Sequence, residues 1–251
     1  MKTQEYEINF QSFYAEKTWP KLSVVVPLYN YESYIIETLD SLRDQTLANF
    51  GLVVVNDCSS DDSASVVSGW LEENGERFEA AVLASNTRNA GLSITRNTGI
   101  HIAESEFIFF LDADNVIYPR CLERLQEALL SSDAVFAYSI LNVFGADTGL
   151  MGTEAFSRER LKIGNYIDAM ALIRRRTLLQ HEGYHDLKHG WEDYDLWLRF
   201  CENDEYGIQV PEILGGYRVH AKSMLRTVTS EKKNHIELRK LITQRHSWLE
   251  I

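Results

Sequence analysis

The stretch Phe107-Ile108-Phe109-Phe110-Leu111-Asp112-Ala113-Asp114-Asn115 decides how the rest of the chain is read. Five consecutive large apolar residues read as a strand buried on both faces, the kind found in a parallel sheet covered by helices. The run breaks onto two carboxylates, Asp112 and Asp114, at the carboxyl end of the strand, which is where open α/β sheets bind ligands. Alternate residues leaving a strand point the same way. The pair can therefore converge on one hard cation that also grips phosphate oxygens, the usual Mg²⁺ or Mn²⁺ arrangement.

Outward from that strand, the preceding chain alternates strands and helices. Leu22-Ser23-Val24-Val25-Val26-Pro27 reads as a strand, and from Glu32 the apolar positions Ile35, Ile36, Leu39 and Leu42 recur at helical spacing. Leu52-Val53-Val54-Val55 is a second buried strand that runs into Asn56 to Ser63, a polar loop rich in N-cap residues, followed by a helix carrying Val66, Val67, Trp70 and Leu71. A third strand, Ala80 to Ala84, leads through Asn86 to Gly91 into a helix ending near Ala103. This alternation predicts right-handed βαβ units and a parallel sheet.

Beyond the carboxylates the pattern loosens. Arg120 to Leu130 reads as an amphipathic helix through Leu122, Leu125 and Leu129, and Ala134 to Leu141 as a strand. Residues 142–165 are rich in Gly, Asp and Thr with weak periodicity, and are expected to form a loop that closes over a substrate. Ala171 to Arg176 and Leu178-Leu179 suggest a short strand and a turn of helix; Trp191 to Phe200 is a helix that opens on acidic residues, suited to its positive N-terminal end. Gly207 to Val210 and Leu214 to His220 complete the sheet, and Ser230 to Trp248 is a charged C-terminal helix. Residues 1–20 read as an extension, a short helix or arm, in front of a domain spanning 21–229, with 230–251 as the terminal helix.

A chain of 251 residues, 45% hydrophobic, can bury a full core. The net charge of −12 argues against a nucleic-acid surface and against docking on anionic lipid through a basic patch. Binding a phosphorylated ligand then requires a metal or local Arg side chains to invert the protein's own field. Cys58, Cys121 and Cys201 are far apart and contain no Cys-x-x-Cys, which implies neither a disulfide framework nor a zinc site. Met1 to Pro20 has no apolar core and no run approaches the roughly 18 apolar residues of a membrane span, so a cytoplasmic protein without a transmembrane segment is expected.

Four polar clusters thus fall at the ends of successive strands: Pro27 to Tyr31, Asn56 to Asp62, Arg88 to Arg96, and Asp112 to Asn115. Further motifs follow in Trp191-Glu192-Asp193-Tyr194-Asp195-Leu196-Trp197-Leu198-Arg199 and Tyr217-Arg218-Val219-His220. In this order, with Asn89-x-Gly91 and Arg96-Asn97-x-Gly99 between, the chain from about residue 21 to 224 resembles the family 2 glycosyltransferases of GT-A fold. The resemblance implies a Rossmann-like, mostly parallel sheet flanked by helices, with a nucleotide half over 21–115, an acceptor half over 116–229 and a smaller acceptor-side sheet.

The resemblance also implies roles. Pro27, Tyr29 and Asp57 fall where the family holds the nucleotide base, and a carboxylate can accept the imide N–H of uracil, which fits a UDP-sugar donor. This chain has Asn56 and Cys58 where the family usually has Asp and Gly. Arg96 occupies the basic position near the diphosphate, where a guanidinium can pair bidentately with an oxyanion. Asp114 matches the direct ligand of Mg²⁺ or Mn²⁺, and Asp112 the residue that reaches ribose or metal through water. His220 matches a histidine that joins the metal from the far end of the domain in a His-x-x-Ser pattern, which Ser223 completes; imidazole leans the choice toward manganese. Asp193, with Glu192 next in line, matches the carboxylate that takes the proton from the acceptor hydroxyl. Trp191 could stack on a sugar face, Trp197 is assigned to the core, and Asp195 with Arg199 to an i,i+4 pair.

These roles describe an inverting, metal-dependent transfer of a hexosyl or N-acetylhexosaminyl unit to a hydroxyl of a glycan or lipid-linked acceptor in surface polysaccharide synthesis, with a homodimer and peripheral contact with the inner membrane face as options. Two other classes compete. A non-catalytic sugar-nucleotide-binding module would keep Asp57 and Asp112 but lose the base that Glu192-Asp193 supplies. A sugar-phosphate nucleotidyltransferase would need a Gly-rich loop after the first strand, where this chain has Pro27-Leu28-Tyr29-Asn30.

Overall fold

The computed structural model describes residues 1–13, 18–221, 223, 225–229 and 231–250. Its frame is one ten-stranded mixed sheet. The parallel core consists of β2 (Leu22–Leu28), β3 (Gly51–Asn56), β4 (Ala80–Asn86) and β5 (Phe107–Phe110) in the spatial order β4-β3-β2-β5. The chain steps outward from β2 through β3 to β4 and then returns to β2's other side for β5. The order therefore reverses between β2 and β5, and at such a switch point the flanking connections leave to opposite faces and open a crevice beyond the carboxyl ends.

The buried strands separate their residues by parity, as a period of two requires. Val24, Val26, Leu52 and Val54 face a core closed by α1 (Ile35–Arg43), α2 (Ser63–Asn74) and α4 (Cys121–Leu130). Val25, Val53, Val55, Val82 and Phe110 face a second core, closed by α3 (Leu92–Ile102), α6 (Arg175–Gln180) and α7 (Glu192–Glu202). Gly99 lets α3 lie directly on β2, since a Cβ there would stand 2.3 Å from Cγ1 of Val25.

Past β5 the sheet continues through β9 (Ala171–Arg174), antiparallel to β5, then β7 (Phe136–Gly145), β10 (Gly207–Val219) and the short β6 (Val116–Ile117). Four sequence expectations change here. The smaller acceptor-side sheet is continuous with the main one, because β9 hydrogen-bonds to both β5 and β7. The two strands expected over 207–220 are a single β10, parallel to β7 and interrupted by register shifts near Ile213. The expected loop over 142–165 holds regular elements in part: β7 runs on to Gly145, β8 (Gly149–Met151) folds back on it, and α5 (Arg158–Leu161) follows. Of segment 1–20, expected as a short helix or arm, residues 6–13 instead form an edge strand: β1 (Tyr6–Phe13) pairs antiparallel with β4. Its alternating polar and apolar residues satisfy the open edge of β4 without needing a second buried face, a pattern too weak to assign from sequence.

The last helix, α8, covers Lys232–Arg245, and Ser230 lies outside the described residues. It is tied to α7 through the fully buried Asp195. That carboxylate accepts from Arg199 at 2.8 Å, as the i,i+4 spacing predicts, and also from Arg245 at 2.6 Å, while His185 and His246 each lie 3.2 Å away. Trp197 stacks on Phe136 with ring centroids 4.3 Å apart and donates its indole N–H to the carbonyl of Ile167, a core role. No helix among the described residues is long and apolar enough to cross a membrane.

Candidate active site

The crevice at the switch point is a cleft of about 1130 Å³. Every residue singled out above for a site role lines it: Pro27, Tyr29, Asp57, Arg96, Asp112, Asp114, Glu192, Asp193 and His220. Trp191 and Ser223 line it as well. Pro27 and Ser223, 196 positions apart, meet here because most of these residues lie at the carboxyl end of a strand or near the start of a helix.

Asp57 follows β3 and is almost wholly buried. Its Oδ1 accepts from Nδ2 of Asn86 at 2.7 Å and from the Ala90 N–H at 2.9 Å, and its Oδ2 accepts from the Gly91 N–H at 2.8 Å. The carboxylate therefore pins the turn ahead of α3, with Gly91 at φ 87°, and keeps one lone pair for a ligand N–H.

Arg96 is where structure and sequence expectation part. Its guanidinium is 1% exposed and is already spoken for: Nη1 donates to Glu192 at 2.5 Å and Nη2 to Asp112 at 2.7 Å, while its plane lies 5.2 Å from the Tyr184 ring. Burial disfavours the cation, but the two carboxylates outweigh it and hold Arg96 charged well above its ordinary range. Arg96 thus bridges the loop after β5 to the first residue of α7. In the absence of a ligand, both of its Nη atoms are engaged by carboxylates, Asp112 among them.

Asp114 instead pairs with His220, whose Nε2 stands 2.8 Å from Oδ2. Tyr34 stacks on the imidazole at 4.8 Å and Tyr31 meets it edge-on at 5.9 Å. Burial and then the nearby Asp112 push the Asp114 carboxyl up, and His220 pulls it back. The loop bearing it is held from two sides. Thr38 of α1 donates to the carbonyls of Ala113 and Asn115 at 3.0 and 2.8 Å, and Arg218 of β10 donates to the Asp114 carbonyl at 2.8 Å. Among the described residues no three His, Cys, Asp or Glu side chains converge on a single point. The donor set of one carboxylate and one imidazole fits a cation whose remaining ligands are phosphate oxygens and water, the usual manner for Mg²⁺ and related ions at nucleotides.

Asp193 is half-buried at the N-terminus of α7. Its Oδ1 accepts from the Tyr194 N–H at 2.7 Å and its Oδ2 from Nδ2 of Asn165 at 3.0 Å. Burial, then Glu192 and Asp168, push its carboxyl up to about 8, against the pull of Arg96. Glu192 is committed to Arg96, which leaves Asp193 as the carboxylate of the pair facing the cleft. Trp191 takes a left-handed backbone, φ 65°, immediately before this helix.

Three residues that sequence reading passed over belong to this constellation. Asn165 is the last residue of the stretch expected as a loop, Asp168 lies just beyond it ahead of β9, and Asp168 is pushed up to about 7 by burial and by Asp112. Arg218 belongs to the Tyr217-Arg218-Val219-His220 motif, and of the three it alone carries a signal in the sequence.

A mostly parallel α/β sheet with carboxylates at its switch point is the architecture of nucleotide-sugar enzymes of the GT-A type. The family model for Glycosyl transferase family 2 matches residues 23–186, and the chain belongs to that family. It is 30% identical over 178 residues to the uncharacterized glycosyltransferase EpsJ of Bacillus subtilis (strain 168), which covers 71% of this chain and 46% of EpsJ. The uncharacterized glycosyltransferase MJ1057 of Methanocaldococcus jannaschii is 26% identical over 213 residues, 80% of this chain and 71% of that protein. The chain thus spans less than half the length of EpsJ. Among solved structures, S. aureus TarS 1-349 in complex with UDP-GlcNAc superposes with TM-score 0.74 at 20% identity, over 89% of this chain and 66% of that one. The mannosyltransferase PcManGT from Pyrobaculum calidifontis, in complex with GDP-Man and Mn²⁺, gives 0.64 at 17% identity over 92% and 63%. At these identities the likeness is one of fold.

Proposed function

We propose that this chain is an inverting glycosyltransferase that moves a sugar from a UDP-sugar to a hydroxyl of a glycan or lipid-linked acceptor. The observation that carries the reading is the cleft itself. Asp57 keeps a lone pair for a base N–H on one side, and on the other Asp193 stands free of the ion pair that occupies Glu192.

In this reading Pro27 and Tyr29 hold the base and Asp57 accepts its imide N–H, a match for uracil. Asp114 and His220 would hold a Mn²⁺ or Mg²⁺ ion, with Asp112 turned toward the ribose. When bound, such an ion offsets the negative charge of a diphosphate leaving group. Asp193 acts as general base: it takes the proton of the acceptor O–H as that oxygen bonds to the anomeric carbon and the carbon's bond to the diphosphate oxygen breaks on the opposite face. A carboxyl whose pKa is raised toward neutrality is a stronger base than an ordinary one, and its hydrogen bonds to Tyr194 and Asn165 leave lone pairs to receive that proton. Arg96 holds Glu192 and Asp112 in place and acts on neither reactant. The names of the EpsJ relative and of the UDP-GlcNAc-bound neighbour support a nucleotide-sugar chemistry, and an acceptor in polysaccharide synthesis follows from the resemblance.

Thermal unfolding with Mn²⁺ and each of UDP, GDP, ADP and CDP, singly and in pairs, tests the reading. A nucleotide at about 100 times its Kd adds roughly 2.7 kcal/mol, a midpoint rise of about 5–10 °C for a domain of this size. A rise confined to UDP with Mn²⁺ is expected. A rise confined to GDP would move the donor class, and none with any pair would reject the reading.

A further inference from the structure

Asp168 lines the same cleft, and the mechanism above leaves it without work. It sits in the turn between α5 and β9, and its Oδ1 accepts from the Met170 N–H at 2.9 Å. That bond fixes the carboxylate's rotamer. Among the described residues Asp168 has no ion-pair partner and its Oδ2 accepts no hydrogen bond, although the residue is half-buried and lines the cleft. The same turn carries Asn165, whose amide holds Oδ2 of Asp193 at 3.0 Å while its own Oδ1 accepts from the Ile167 N–H at 3.2 Å. The turn is thereby registered against the base at one end and against the rigid β9 at the other, so Asp168 is held rather than loose.

Placement and chemistry select a ligand. A carboxylate oriented by one backbone N–H and keeping a free oxygen beside a leaving-group site is a hydrogen-bond acceptor for hydroxyls. Its electrostatic neighbours are Asp112, Arg96 and Asp114, and it acts in turn on Asp193. The moiety that lies between the leaving-group residues and Asp193 during the transfer proposed above is the sugar. We propose that Asp168 is a specificity-determining residue that accepts hydrogen bonds from ring hydroxyls of the transferred sugar. This rests on the reading of the chain as a UDP-sugar transferase. A buried acceptor built for a hydroxyl discriminates strongly against a sugar whose hydroxyl is epimerised or missing, because it is then left unpaired.

The test is calorimetric titration of the whole chain with Mn²⁺ and UDP, UDP-glucose, UDP-galactose or UDP-N-acetylglucosamine, for wild type, Asp168→Asn and Asp168→Ala. Wild type is expected to bind one of the sugar nucleotides at least about tenfold more tightly than UDP, the increment of a hydrogen bond to a charged group. Both variants should lose that margin to within about threefold, with UDP affinity and unfolding midpoint unchanged. Asp168→Asn keeps the bond from Met170 through its amide oxygen, so the loss there reports on the ligand and not on the turn. Retention of the margin in Asp168→Asn would overturn the inference alone, as would a wild type that binds UDP without any preference for a sugar nucleotide. A variant that keeps the margin but loses all turnover would also overturn it, by making Asp168 the base. Failure of wild type to bind any of the four ligands would instead reject the UDP-sugar reading, and the inference with it.

Discussion

Arg96→Met separates the role the structure assigns to this residue from the one its motif suggests. Methionine fills much of the volume but removes both bonds, leaving Glu192, 6% exposed, and Asp112, 28% exposed, without their cation. Asp112 can turn to solvent in the cleft, so the cost falls mainly on Glu192. Stranding one partner of a buried pair costs about 3–5 kcal/mol, which for a domain of this length lowers the midpoint by roughly 6–20 °C. Urea unfolding followed by far-UV circular dichroism at pH 8 should show that deficit, and adding Glu192→Gln should restore part of it by removing the stranded charge. A deficit below about 1 kcal/mol at pH 8, with nucleotide affinity as the property lost, would refute the reasoning and return Arg96 to the ligand.

Asp193→Asn should lower turnover by about 10²–10⁴-fold with UDP affinity unchanged in titration, and the wild-type kcat/KM should climb with pH through about 8 because the base must be ionised. The Asp195 cluster carries its own pH dependence. Burial works against the His246 cation, but Asp195 and Glu202 outweigh it and raise its pKa, so this stabilisation is full below about 6.5 and is lost as pH rises through the folded value. Burial likewise works against the Asp195 carboxylate, but His185, His246, Arg199 and Arg245 lower its pKa, so its contribution is full above about 3.8 and is lost as pH falls below that. Wild-type stability from this cluster should peak between those limits, and His246→Gln should flatten the alkaline decline in urea midpoints taken from pH 6 to 8. Gly99→Ala should cost about 1–3 kcal/mol in the same assay, since its Cβ would stand 2.3 Å from Val25 on the strand beneath.

Period and punctuation alone determined a good deal of this protein. Runs such as Leu52 to Val55 and Phe107 to Leu111 are apolar at every position, which only a strand covered on both faces tolerates, and their polar endings marked the functional edge of the sheet in advance. Trp197 in the core and the Asp195–Arg199 pair followed from helical spacing, a local property. What sequence could not decide is set by distance across the fold. Whether Arg96 meets a phosphate or a carboxylate depends on where Glu192, 96 residues later, enters the cleft. The joining of the two halves into one sheet depends on β9, four residues long, whose antiparallel pairing with both β5 and β7 leaves no periodic trace. Asp168 and Asn165 gain their meaning only from the neighbours that β9 brings them to. Local pattern encodes which surfaces must be buried; the identity of each buried charge's partner is a tertiary property, because it is settled by which surfaces close on one another.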